Sequence, residues 1–386
     1  MNIKLNEFQK RTENLRNRMF QEGFDALVIY SDEYRSGNST YLTGYKPINV
    51  IEESPQLVII VGNNNPVVLM GRLNAYAARD LVWIEDVRGI HQPQKDLPNI
   101  FSSIKNKKSK IGVIGQNILP VSLFNSIANT LSKSVFVFCD NLIIDERKIK
   151  SPAEINLMGK AADINDKVLK EVLNKVEIGM TEIQIAGLAE AIARQMGADI
   201  ASATVVMSGP NTNYPAWRPS NRKVEAGDFL MIDFNPAVNH YCNDGGITVL
   251  LPGGDPEQER ALITGHEALK SIIPNIKPNI SAKVIFDNLL NYLKPHGLEK
   301  NFTPYAKGLR GVGHGVGLDV VERPNLSSDS DFNIIPGMTL AIKLDLHGLI
   351  GGGYRIEIVV AVTDNGVTPL NKLILEESND FTIIRE

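Results

Sequence analysis

Four segments carry side chains whose types and spacing allow chemistry. In "FLMIDFNPAVNHYCND", Asp233 follows an apolar run, so its carboxylate leaves the end of a buried strand. Asp244 comes where a hairpin partner would return, which sets the two carboxylates facing each other. Buried carboxylates need metal ions, cations or hydrogen-bond donors; the alternative is two polar loop residues. In "LRGVGHGVGLDVVERPN", His314 lies between glycines, where backbone passes close to a ligand and leaves the imidazole facing it. A structural loop histidine fits the same pattern. "GGGYRIEIVVAV" places Arg355 and Glu357 two apart on one strand face, as a surface ion pair would also be placed. Finally "PGMTLAIKLDLHG" reads as a buried strand entering the same site, and it carries Lys343.

The elements that must position these residues fall into two groups. The first part alternates helical and strand patterns: a helix around 6–22, then apolar runs "DALVIY", "QLVIIV", "NPVVLM", "KIGVIG" and "SVFVFCD". This is an α/β domain over 1–147. The character then changes. Ser151, Pro152 and Glu154 form a helix start with a capping box, and a second capped helix begins at Thr181. Strands dominate from 203, interrupted by a helical pair near 255–295. The second domain therefore spans 148–386, and the chain is α+β overall.

The totals fit a two-domain globular enzyme. The chain has 386 residues, 43% of them hydrophobic and 22% charged. A net charge of -4 is too mild for a nucleic-acid or anionic-membrane partner. Two cysteines make neither a disulfide framework nor a zinc set. The N-terminus has no signal-type apolar core, and a reducing cytoplasm is the expected compartment.

Taken together, the order and spacing of these segments resemble the "pita-bread" superfamily of creatinase, aminopeptidase P and prolidase. "YLTGY" and the junction "KSPAEINLMGKAA" resemble its N-terminal domain and linker, and "SGPNTNYPAWRPSNRKVEAGDFLMIDF" resembles the approach to its first metal ligand. The resemblance implies a creatinase-like N-terminal domain followed by a pita-bread catalytic domain. It implies metal positions at Asp233, Asp244, His314 and Glu357, with Lys343 in the fifth. It also implies a small-molecule substrate and a homodimer, with Arg35, Tyr41 or Glu52 near the partner's cleft.

Departures fall at functional positions. A protonated Lys343 cannot ligate a hard cation. Val321 and Trp217 stand where the resemblance implies histidines, and losing such donors costs on the order of a hundredfold each. Asp345 and His347 share Lys343's strand face, but at a spacing foreign to the resemblance. The pattern implies at most one divalent ion (manganese, iron or zinc) on Asp233, Asp244 and Glu357, or none, with the His314 side weakened. Lys343 is expected within salt-bridge reach of Asp244 or Glu357 as an internal cation.

The function expected on these grounds is hydrolysis of a C–N bond in a small modified amino acid, guanidino or amide substrate, with Xaa-Pro peptidase activity not expected. A non-hydrolytic enzyme of specialised metabolism and an inactive binding module are the alternatives. Lys343, Glu357, Asp244 and His314 are the expected catalytic residues. Trp217, Tyr214, Arg218, Arg355, Glu322 and Arg35 are the expected substrate contacts.

Overall fold

A computed structural model describes residues 3–376 apart from 50–53, 92 and 310. The chain divides between Arg147 and Lys148 into two compact units.

In the first unit, strands β1 (Ala26–Ser31), β2 (Gln56–Val61), β3 (Val67–Met70), β4 (Asp86–Gly89), β5 (Lys110–Ile114) and β6 (Val135–Phe138) form one sheet in the order β4-β3-β2-β1-β5-β6. Strand β1 runs antiparallel to β2 and parallel to β5. Every residue of β1 and β2 is buried, as their unbroken apolar runs require. Helices α1 (Leu5–Gln21), α2 (Gly37–Thr43), α3 (Arg72–Leu81), α4 (Pro93–Ile100), α5 (Val121–Thr130) and α6 (Asn141–Arg147) complete the unit. Arg35 is exposed, its backbone N–H donating to Asp32. Tyr41 is buried beneath the Arg11 guanidinium, 4.2 Å from the ring centre, so it cannot face a partner's cleft without rearrangement. Glu52 lies outside the described residues.

The second unit opens with α7 (Pro152–Leu173) and α8 (Glu182–Gln195), each starting in a complete capping box, Ser151 with Glu154 and Thr181 with Gln184. Strands β7 (Asp199–Ile200), β10 (Pro236–Val238) and β11 (Tyr241–Cys242) make a small sheet. The large sheet holds β8 (Val205–Ser208), β9 (Phe229–Phe234), β12 (Gly245–Leu250), β13 (Gly311–Gly315), β14 (Glu322–Ser327), β15 (Thr339–Leu349) and β16 (Gly352–Thr363), in the order β14-β13-β15-β16-β12-β9-β8, with β17 (Gly366–Pro369) paired to β16. Helices α9 (Pro256–Ile272) and α10 (Lys283–Leu293) contribute Leu262, Leu269, Phe286 and Leu289 to the core that Ile342, Leu344, Leu346 and Ile358 enter from the sheet. Alternation along β15 therefore turns Lys343, Asp345 and His347 to the opposite face.

His266, buried on α9, shows what this core does to a titratable group. Burial, then the nearby Lys270, lowers its pKa to about 4, and its Nε2 lies 3.3 Å from the Ile374 carbonyl. The unfolded chain takes a proton near pH 6.5, whereas the folded chain resists it until about pH 4. Its neutral form thus contributes stability that is complete above pH 6.5 and is lost as pH falls toward 4. Between pH 7 and 4.5 the wild type is expected to lose about 2 kcal/mol more stability than His266→Gln in urea unfolding. Equal losses would remove His266 from the acid response.

Candidate active site

The site is assembled by strand register. Gly246 of β12 pairs with Asp233 of β9 on one side and Glu357 of β16 on the other. A Cβ at Gly246 would stand 3.3 Å from both the Cα and Cβ of Asp233, so glycine lets the acidic strands close up. Lys343 pairs with Glu357, and Asp345 with Arg355, across β15 and β16. On the other flank Gly313 adopts a φ of 146°, and a Cβ there would collide with the Ala341 carbonyl. That close approach seats His314 opposite Ala341.

Asp244, His314 and Glu357, all buried, offer ligand atoms that lie within 4.8 Å of one another. His314 Nε2 is 3.3 Å from Asp244 Oδ2 and 3.8 Å from Glu357 Oε1. This is not an ordinary ion pair. Burial and then the Lys343 charge lower the imidazole pKa to about 4, and Nδ1 lies 3.0 Å from the Gly315 carbonyl. A neutral ring donating through Nδ1–H directs the Nε2 lone pair at two carboxylate oxygens. Glu357 Oε1 has no hydrogen-bond partner among the described residues. Burial, followed by Glu357 and Asp233, raises the Asp244 pKa well above the usual carboxylate range, and burial raises that of Glu357 to about 7 against the opposing Lys343. Three converging acceptors require a cation between them, a proton or a metal ion. The donor set of one imidazole and two carboxylates suits a single divalent ion such as zinc or manganese.

Asp233 does not belong to that convergence. Its Oδ2 accepts from Arg355 Nη1 at 2.9 Å and its Oδ1 from Asn235 Nδ2 at 3.3 Å. Asn235 also donates to Asp244 Oδ1 at 2.5 Å. The group of converging donor atoms thus includes His314, whereas Asp233, expected among the ligands, is held by the guanidinium. Nor is Arg355 available to a substrate carboxylate. Its Nε and Nη2 both donate to Asp345, at 2.6 and 3.2 Å, and Nη2 also donates to the Pro215 carbonyl at 2.6 Å. Asp345 is thus the main partner of Arg355. Burial tends to raise its pKa, but Arg355 and then Lys343 hold it below the usual value.

Lys343 departs from expectation in a second way. It makes no direct ion pair or hydrogen bond among the described residues. Glu357 nonetheless keeps it charged against the effect of burial, with help from Asp345 and Asp244. Glu322 is buried with Lys150 at 3.2 Å and accepts the Asp319 N–H. Tyr214 and Trp217 are 54% and 63% exposed with ring centres 6.2 Å apart, and they flank the Pro215 carbonyl held by Arg355. Arg218 is exposed, as is Val321. Sequence reasoning missed Asn235, which lies one residue past β9 and has no strand alternation to mark it.

Comparison with known proteins defines the class. The model of metallopeptidase family M24 matches residues 156–364, and that of the creatinase/prolidase N-terminal domain matches 11–149. The chain belongs to metallopeptidase family M24 and has the pita-bread fold with a creatinase-like N-terminal domain. It is 28% identical over 279 residues to the Xaa-Pro dipeptidase of Pyrococcus furiosus, covering 72% of this chain and 78% of that one. It is 26% identical over 377 residues to an uncharacterized peptidase of Bacillus subtilis, covering 97% and 100%. Among solved structures, the prolidase from Pyrococcus furiosus aligns with a TM-score of 0.79 at 25% identity, over 92% of this chain and 99% of that one. The prolidase from Pyrococcus horikoshii has the same fold, with a TM-score of 0.82 at 24% identity over 94% and 98%.

These findings support a hydrolase, and they correct the function expected from sequence. Creatinase-like chemistry on a non-peptide substrate is replaced by peptidase chemistry, since the family and its curated relatives are peptidases. The expectation rested on treating the histidines absent at Trp217 and Val321 as indispensable. No helix among the described residues is long and apolar enough to cross a membrane.

Proposed function

We propose that this protein is a cytoplasmic, homodimeric peptidase that hydrolyses short Xaa-Pro peptides with one divalent ion held by Asp244, His314 and Glu357. The observation that carries the reading is the convergence of two carboxylate oxygens on a neutral imidazole lone pair, in a chain of family M24. The Xaa-Pro specificity follows the names of the Pyrococcus relatives. Both cysteines are free, which fits a reducing compartment.

Charge supports a single ion. Asp233, Asp244, Asp345 and Glu357 oppose Arg355 and Lys343. One divalent ion brings the fully ionised site to neutrality, whereas a second would leave excess positive charge where Lys343 already repels cations. When bound, such an ion polarises a carbonyl and lowers the pKa of water. Arg355 fixes Asp233 and the Pro215 carbonyl together. Tyr214 and Trp217 then offer an aromatic wall on which a proline ring can pack.

The test is hydrolysis of Gly-Pro, Leu-Pro and Phe-Pro against matched Xaa-Ala dipeptides, after loading with manganese or zinc, alongside elemental analysis and light scattering. The expected result is preferential Xaa-Pro cleavage, one ion per chain and a dimer. Activity should be lost on chelation and regained on reloading. No Xaa-Pro cleavage with any of the metals would sink the peptidase reading, and two tightly held ions would sink the single-ion site.

A further inference from the structure

We propose that Lys343 is a catalytic residue: its ammonium donates to the scissile carbonyl oxygen and holds the oxyanion that forms there. The assignment rests on the peptidase reading above and adds to it a transition-state donor.

Position is the first support. Lys343 lies directly across the strand pair from Glu357, one of the three ion-holding residues. The side chains on either side of it in β15, Ile342 and Leu344, fill the core, so its stem rises on the face of the site. Availability is the second. Asp345 and His347, on the same face, are buried, but Lys343 is half-buried and its N–H groups are not engaged by any described residue. The other cation of this face, Arg355, commits four of its five N–H groups to Asp345, Asp233 and the Pro215 carbonyl. Charge is the third: a lysine side chain is ordinarily an ammonium at neutral pH. Val321 has no donor, and Trp217 has only its indole N–H. Lys343 is therefore a charged donor of this sheet face available to meet negative charge developing on a substrate.

In the step proposed, a water oxygen bonds to the carbonyl carbon as the C=O π pair moves onto the carbonyl oxygen. Lys343 holds that oxygen through N–H donation and keeps its own protons. The C=O bond then re-forms and the C–N bond breaks. The proton shed by the water reaches the departing prolyl nitrogen through solvent. Because the donation strengthens as charge builds on oxygen, it acts on kcat more than on KM.

The experiment compares wild type, Lys343→Met and Lys343→Arg by Xaa-Pro kinetics, bound metal and affinity for a dipeptide analogue with a phosphinate in place of the peptide bond. Lys343→Met is expected to lower kcat about a hundredfold, with phosphinate affinity falling in parallel. KM should stay within about threefold and the ion content should not fall. Lys343→Arg should recover part of both losses. If Lys343→Met does not fold, Lys343→Gln carries the same comparison. Undiminished kcat in a folded neutral variant, or reduced kcat with unchanged phosphinate affinity, overturns the assignment alone. A wild type that cleaves no Xaa-Pro dipeptide overturns the peptidase reading and the assignment together.

Discussion

His314→Ala is expected to strip the divalent ion and lower kcat/KM for an Xaa-Pro dipeptide about a thousandfold or more, beyond the ten- to hundredfold typical of losing a supporting hydrogen bond. The reason is the geometry of the ligand group. His314 Nε2 is the neutral donor between Asp244 Oδ2 and Glu357 Oε1. Without it two carboxylates remain, with Lys343 opposing a cation. Asp233→Asn provides the contrast. Asp233 accepts from Arg355 and Asn235 and lies outside the converging group, so this variant should still hold one ion per chain. Elemental analysis of both variants after dialysis decides the matter. If His314→Ala keeps its ion and Asp233→Asn loses it, the ion sits on the other side of the site.

The contrast also shows which parts of this molecule could be read in one dimension. Ser151, Pro152 and Glu154 announced a helix start because capping is a local property, and the boundary appears in the structure with its capping box complete. The apolar runs that became β1, β2, β9 and β12 were legible for the same reason. The acidic residues were found because each ends or interrupts an apolar run. What could not be read was pairing. That Arg355 lies opposite Asp345 depends on the register between β15 and β16, which no local spacing encodes. Local spacing alone leaves Arg355 free to meet a substrate, whereas the register sets it against Asp345. Function is harder to read than fold: Trp217 and Val321 are single positions, whereas membership of the family rests on the pattern over residues 156–364.

Arg355→Met is expected to have the largest effect on stability, a loss of about 3–5 kcal/mol at pH 7 in urea unfolding. The guanidinium is almost fully buried and makes four hydrogen bonds, two to Asp345, one to Asp233 and one to the Pro215 carbonyl. Methionine replaces much of the stem's volume but none of these bonds, and it leaves two buried carboxylates without their cation. A change of sign with pH separates this cause from lost packing. In the wild type, Asp345 has a lowered pKa, so its contribution is present above the unfolded carboxylate pKa and is lost as pH falls through the folded value. In Arg355→Met, burial acts on Asp345 without its chief counter-charge, so its pKa should rise and protonation should favour the folded state. The stability gap between the two proteins should therefore narrow as pH falls from 7 to 5. Arg355→Met combined with Asp345→Asn should likewise be more stable at pH 7 than Arg355→Met alone, because the second change removes the stranded charge. A gap that is constant with pH, together with additive single-variant losses, would mean that Arg355 acts by packing and that its ion pairs with Asp345 and Asp233 contribute nothing net.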